Sequence, residues 1–120
     1  IISCDIISLH CNATKDGNSI INKNELIKMK KNSVIINTAR GNLVNEIDLK
    51  EALDASTILG AAIDVYSDEP AKDNILFGTK NLILTPHIAA STIEAQISVA
   101  KQIAEQVSDF FNIGKIINSL

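Results

Sequence analysis

The chain has one arginine, Arg40, in "IINTARGNLVNE" (35–46), directly after a run of apolar, β-forming residues and directly before a glycine. Ten lysines carry the rest of the basic charge. Arginine presents a planar fork that binds a carboxylate through two parallel hydrogen bonds, a geometry lysine lacks. The two histidines also follow apolar runs, His10 after "DIISL" and His87 after "LILTP". Histidine exchanges a proton near neutral pH. Asp64 lies at the end of "LGAAIDV", with Glu69 a short turn further on. A carboxylate close to a histidine favours the imidazolium. Arginine, histidine and glutamate together suit a reaction on an acid that carries a hydroxyl or keto group beside its carboxylate.

These residues need a frame that brings strand ends together. "DIISL" (5–9), "SVIIN" (33–37), "LGAAIDV" (59–65) and "LIL" (82–84) are β-branched and mostly unalternating, the pattern of strands buried on both faces of a parallel sheet. Helices are expected in two of the gaps. Asn22 and Glu25 have capping-box spacing before "KNELIKMKK". Asn45 caps "EIDLKEALDA", with Ile47, Leu49 and Leu53 as its apolar positions. A last helix opens at Ser91 with Glu94. It carries a core stripe of Ile93, Ile97, Ala100, Ala104, Val107 and Phe111, and stops at Gly114. The final "IGKIINSL" (113–120) reads as a strand or as the start of a crossing to another domain. Strands alternating with helices give an α/β class with a parallel sheet flanked by helices. In such sheets the ligand lies beyond the carboxyl ends of the strands, where Arg40, His87 and the two acids fall.

Composition removes several alternatives. With 120 residues there is room for one domain with a real core. A hydrophobic fraction of 46% argues against disorder. A net charge of −3 offers no basic face for nucleic acid. No apolar run approaches the roughly 20 residues of a membrane helix, and the start has no basic signal-peptide region. Cys4 and Cys11 have neither disulfide-framework nor zinc spacing, so free thiols in a reducing, cytoplasmic compartment and no metal are expected.

Three segments, in order and spacing, carry a family resemblance over nearly the whole chain. "NTARGNLVNE", "AAIDVYSDEP" and "LILTPHIAAST" resemble the arginine, Asp-Val…Glu-Pro and histidine segments of the D-isomer-specific 2-hydroxyacid dehydrogenases. "PHIAASTIEAQ" is most similar to the D-3-phosphoglycerate dehydrogenases within that family. The resemblance implies a partial Rossmann-type domain and NAD as cofactor. It implies oxidation of a D-2-hydroxy acid, 3-phosphoglycerate in serine biosynthesis, as the reaction. By it, Arg40 binds the substrate carboxylate and carbonyl oxygen, His87 is the acid/base, and Glu69 pairs with His87. Cys11, the Thr38–Ala39–Arg40 backbone, Asp64, and His87, Ile88, Ala89 and Ala90 become cofactor contacts. A small 2-hydroxy or 2-keto acid and further copies of the chain are the expected partners, with no nucleic acid and no membrane.

Departures from the family pattern set further expectations. The glycine-rich phosphate loop and the acid that reads the ribose are not in this sequence, so residues 1–120 read as the second half of an NAD-binding domain, inactive alone. Ala89 replaces a glycine and would be strained if that position needs a positive φ. Each residue also has a plainer reading: Arg40 a surface arginine, His87 a satisfied loop histidine, Glu69 a solvated turn acid, Asp64 a strand-end acid, Cys11 a packing residue. His10 is read as structural. The alternative activities are another D-2-hydroxyacid dehydrogenase or reductase, or an NAD-sensing corepressor on the same fold.

Overall fold

The four apolar runs form four strands: β1 (Ile6–Leu9), β2 (Val34–Asn37), β3 (Gly60–Ile63) and β4 (Leu82–Leu84). They pair in parallel in the order β1-β2-β3-β4. The computed structural model describes residues 1–118 and divides the chain into two units, Ile1–His87 and Ile88–Leu120. The sheet belongs to the first. Its register aligns Ile7, Ile35, Ala61 and Leu82 in one row and Leu9, Asn37, Ile63 and Leu84 in the next.

Sequential strand order has a consequence for burial. Right-handed crossovers that always step in the same direction place every connection on the same face of the sheet. That face holds the core. Leu26 and Met29 come from the first crossover, Leu43, Val44, Leu49, Ala52, Leu53 and Ile58 from the second, and Leu76 from the third. The other face carries Ile6 and Ile83, which are 64% and 68% exposed, with Val34, Ile36 and Ala62 half-buried. Burial on both faces, expected from the unalternating runs, is therefore not found for β1 and β4.

The crossovers follow the sequence signals in part. α1 spans only Lys23–Leu26, short of the expected helix through Lys31. Lys28 and Met29 donate to Glu25 and Leu26 at i−3 spacing, which tightens the chain into the turn before β2. Asn22 caps α1 by accepting from the Asn24 N–H, while Glu25 pairs with Lys28 instead of completing a capping box. A 3₁₀ turn (Gly41–Leu43) follows β2, and α2 spans Glu46–Asp54. Asn45 caps α2 by accepting from the Asp48 N–H. Leu49 and Leu53 are buried as expected, but Ile47 faces solvent and Ala52 takes the third core position. The β3–β4 crossover (64–81) has no helix.

In the second unit, α3 runs from Ile93 to Ile113. Its cap is Thr92, whose hydroxyl accepts from the Ala95 N–H; the helix begins one residue later than the Ser91 expectation. Gly114 ends it in the left-handed region, its N–H donating to the Phe110 carbonyl at 3.0 Å in an αL closure. None of its residues is buried, so the stripe expected as core is an exposed apolar face here. Residues 114–117 form no strand; Ser119 and Leu120, the end of the expected crossing segment, lie outside the described residues. Among the described residues no helix is long and apolar enough to cross a membrane, and no cluster could hold a metal ion.

Candidate active site

The carboxyl end of β2 is shaped by a buried polar residue. Asn37, at the strand's last position, is fully buried. Its side-chain oxygen accepts from the Ala39 N–H at 3.1 Å and its amide donates to the Arg40 carbonyl at 2.9 Å. The turn carrying Arg40 is thus bound at both ends by one side chain. Arg40 is exposed and donates through Nη1 to the Ala39 carbonyl at 2.6 Å. Among the described residues no carboxylate pairs with it. Gly41 then passes so close to the β3–β4 crossover that a Cβ there would stand 1.8 Å from the Tyr66 carbonyl oxygen. The glycine behind the arginine is required by this approach.

The β3–β4 crossover folds back on itself through Glu69. One carboxylate oxygen accepts from the Tyr66 N–H at 2.9 Å, and the other meets His87 Nδ1 at 2.6 Å. The Tyr66 N–H foremost, and then His87, hold the Glu69 carboxyl below the usual carboxylate range. Ionised, it only accepts, so Nδ1 carries the proton and donates it. The His87 Nε2 is then the nitrogen that exchanges protons with a ligand.

His87 is positioned from β4. Tyr66 is buried, and its hydroxyl donates to the Thr85 carbonyl at 2.9 Å. Burial first, then the charges of Asp64, Glu46 and Glu69, push the Tyr66 hydroxyl pKa up, so it stays protonated. The Thr85 hydroxyl donates to Asp64 Oδ1 at 2.5 Å. Two residues later His87 is in the left-handed region (φ 54°), which histidine enters more readily than most side chains. The positive φ falls here and not on Ala89, so the strain expected at Ala89 is absent.

Two adjoining clefts share Tyr66, Glu69 and His87. One, of about 320 Å³, is completed by Arg40, Gly41, Asn42, Val65 and Ser67. The other, of about 330 Å³, is walled by Pro70, Ala71, Phe77 and Pro86, with Phe77 edge-on to Tyr66. The three residues expected to act together, Arg40, Glu69 and His87, therefore line one cleft.

The remaining expected residues fall elsewhere. Cys11 is an exposed free thiol beyond β1, at the opposite edge of the sheet from β4. Thr38 is exposed and Ala39 half-buried on the Arg40 turn. Asp64 is buried and held by Thr85. Ile88, Ala89 and Ala90 are exposed and belong to the second unit, where Ser91 N–H closes a turn on Ile88. His10 is exposed, and its ring meets the Ser8 hydroxyl at 2.8 Å. Asn37, Gly41, Glu46 and Tyr66 were not anticipated from sequence. The one tyrosine of the chain, two residues after Asp64, was a signal for the last of them.

The donor set at the strand ends fits one part of a dinucleotide. Asp64 places a carboxylate at the end of β3, and Thr38 lies exposed at the end of β2, while the Ala39 N–H and carbonyl are engaged by Asn37 and Arg40. Asp64 and Thr38 suit an amide and a ribose. Among the described residues no G-x-G-x-x-G turn opens a helix to receive a pyrophosphate.

Comparison with known proteins gives a consistent result. Residues 1–89 match the family model described as "D-isomer specific 2-hydroxyacid dehydrogenase, NAD binding domain". The D-3-phosphoglycerate dehydrogenase of Bacillus subtilis is 44% identical over 108 residues, covering 90% of this chain and 21% of that protein. The glycerate dehydrogenase of Methylorubrum extorquens is 45% identical over 109 residues, covering 88% and 35%. A D-isomer specific 2-hydroxyacid dehydrogenase from Xanthobacter autotrophicus, solved with NADPH, superposes with a TM-score of 0.79 at 27% identity, covering 99% of this chain and 49% of that one. The chain spans about a fifth of the length of the Bacillus relative. It belongs to the D-isomer specific 2-hydroxyacid dehydrogenase family, as an NAD-binding domain of Rossmann type.

Proposed function

We propose that the full-length protein carrying this chain oxidises a D-2-hydroxy acid with NAD, and that the acid is 3-phosphoglycerate, giving 3-phosphohydroxypyruvate for serine synthesis. The observation that carries the reading is the 2.6 Å contact between His87 Nδ1 and Glu69 in the cleft that Arg40 also lines. Arg40 binds the substrate carboxylate through its guanidinium fork and steadies the oxygen at C2. His87 Nε2 takes the hydroxyl proton, while Glu69 holds the ring in the tautomer that leaves Nε2 unprotonated and stabilises the imidazolium formed. NAD, when bound, would supply the acceptor for the hydride leaving C2. Asp64 and the Thr38–Ala39–Arg40 backbone would hold the amide and ribose end of that cofactor, with Cys11 and His87–Ala90 as further contacts. In keto-acid reduction the same histidine, as imidazolium, returns the proton.

The choice of 3-phosphoglycerate rests on likeness to an enzyme of that name, and the similar identity to a glycerate dehydrogenase supports the broader class. A small 2-hydroxy or 2-keto acid is the ligand in either case, and the protein is proposed to be a cytoplasmic homo-oligomer. The test is initial rates for the purified full-length protein with NAD or NADP and 3-phosphoglycerate, D-glycerate or D-lactate. Reverse rates with glyoxylate and hydroxypyruvate complete the set. A kcat/KM for 3-phosphoglycerate at least ten-fold above the others is expected. Preference for another acid would correct the substrate. NAD binding without turnover of any acid would favour the corepressor reading.

A further inference from the structure

Glu46 is the first residue of α2, where an acid is ordinarily explained by the helix dipole. Its side chain does more than that. Oε1 accepts from the Ser67 N–H at 2.9 Å, and Oε2 accepts from the Asn74 side-chain amide at 2.9 Å. Ser67 and Asn74 lie on the two arms of the helix-free crossover that carries Glu69 between them. Ser67 also adjoins Tyr66, whose N–H holds the Glu69 carboxylate.

We propose that Glu46 is a positioning residue for the Glu69–His87 pair, clamping both arms of the crossover so that Glu69 reaches His87. The inference rests on the reading of that pair as the acid/base machinery. The hydrogen-bond polarity makes the clamp specific to a carboxylate. The Asn74 side-chain oxygen accepts from the Leu76 N–H at 2.9 Å, which fixes the amide with its NH₂ toward Glu46. Glu46 therefore meets two donors, the Ser67 N–H and the Asn74 NH₂, and only a group with two acceptors satisfies both. An amide at position 46 would face one of them with its own NH₂. An amide flip on either side chain would forfeit the Ser67 or the Leu76 bond. Restoring complementarity requires exchanging the two chemistries, with the amide at 46 and the carboxylate at 74.

The test is a double-mutant cycle in the full-length protein, with Glu69→Gln measured alongside. Readouts are kcat, KM for the hydroxy acid, the pH inflection of kcat/KM, and NAD affinity by fluorescence. Glu46→Gln is expected to lower kcat/KM about ten-fold, less than the roughly 100-fold of a 1 Å displacement of reacting groups. The inflection should move to lower pH, in the direction of Glu69→Gln, with NAD affinity within about two-fold of wild type. Asn74→Asp should be similarly impaired, because it opposes two carboxylates. Glu46→Gln combined with Asn74→Asp should return kcat/KM to within about three-fold of wild type and restore the inflection. A merely structural contact would not move the inflection. Single variants with wild-type kinetics beside an impaired Glu69→Gln would overturn the clamp and leave the acid/base reading intact. A Glu69→Gln with wild-type kinetics would overturn that reading, and the clamp with it. If the single variants do not fold, the double variant decides: recovery supports the exchange, and continued loss of activity overturns it.

Discussion

Replacing Gly41 with alanine tests whether the arginine turn and the Glu69 crossover work as one unit. The added Cβ would lie 1.8 Å from the Tyr66 carbonyl oxygen, 1.9 Å from its carbon and 2.6 Å from the Ser67 nitrogen. Ordinary contact begins at 3.4 Å. All three neighbours are backbone atoms, so no flexible side-chain end can swing aside. The crossover is held in place by the Ser67–Glu46 and Tyr66–Glu69 hydrogen bonds and by the burial of Tyr66. The turn is held by Asn37, itself fully buried. The strain must separate Arg40 from the Glu69–His87 side of the cleft by more than an ångström. Overpacking of this kind lowers stability by about 1–3 kcal/mol, and an ångström of misplacement lowers rates by about 100-fold. The assay is kcat/KM for the hydroxy acid in the full-length protein, with thermal unfolding of the same samples. The expected result is a loss of about two orders of magnitude in kcat/KM and a lower Tm. Wild-type values of both would refute the argument that this close approach sets the cleft.

Arg40→Lys should keep the charge and lose the two-point contact, so kcat/KM falls strongly while NAD affinity, measured by fluorescence titration, barely changes. His87→Ala should slow reaction in both directions by roughly 10²–10⁴-fold, and an undiminished reverse rate would remove it from proton transfer. Wild-type oxidation should rise with pH and reduction should fall, because one direction needs the neutral ring and the other the imidazolium. Asn37→Ala leaves the Ala39 N–H and Arg40 carbonyl without their buried partner, and a shift in the denaturation midpoint equivalent to about 1–3 kcal/mol is expected; an unchanged midpoint would show that the turn holds without it. Because the folded Glu69 carboxyl lies below its ordinary value of 4.5, its ties to Tyr66 and His87 add stability that is fully present above that value and lost as pH falls through the lower folded one. The Tyr66 amide resonance should accordingly titrate with a midpoint below 4.5, and a midpoint above it would contradict the assigned hydrogen bond.

Much of the frame is a short-range property of the chain. The four β-branched runs define the strands to within about a residue or two at most ends, and the Asn45 cap and the Gly114 stop act on backbone groups within one turn of themselves. The positions of Arg40, Asp64, Glu69 and His87 after apolar runs were legible for the same reason, since a parallel sheet collects strand ends on one side. What depends on contacts distant in sequence was not legible. With the strands in sequential order and the buried crossover residues gathered into one core, Ile6 and Ile83 stand exposed on the sheet, although their local sequence resembles that of buried strands. Glu69 was distinguished from Asp68 beside it by the Tyr66 N–H and by His87, 18 residues on. Glu46 looked like an ordinary helix-start acid until the fold brought Ser67 and Asn74 to it across 21 and 28 residues. Gly41 owes its necessity to a carbonyl 25 positions away that no local pattern encodes. Propensity and periodicity act over a few residues, so they locate the groups that do chemistry; which of those groups meet, and which backbone must yield space, is decided only when the sheet closes the distances between its loops.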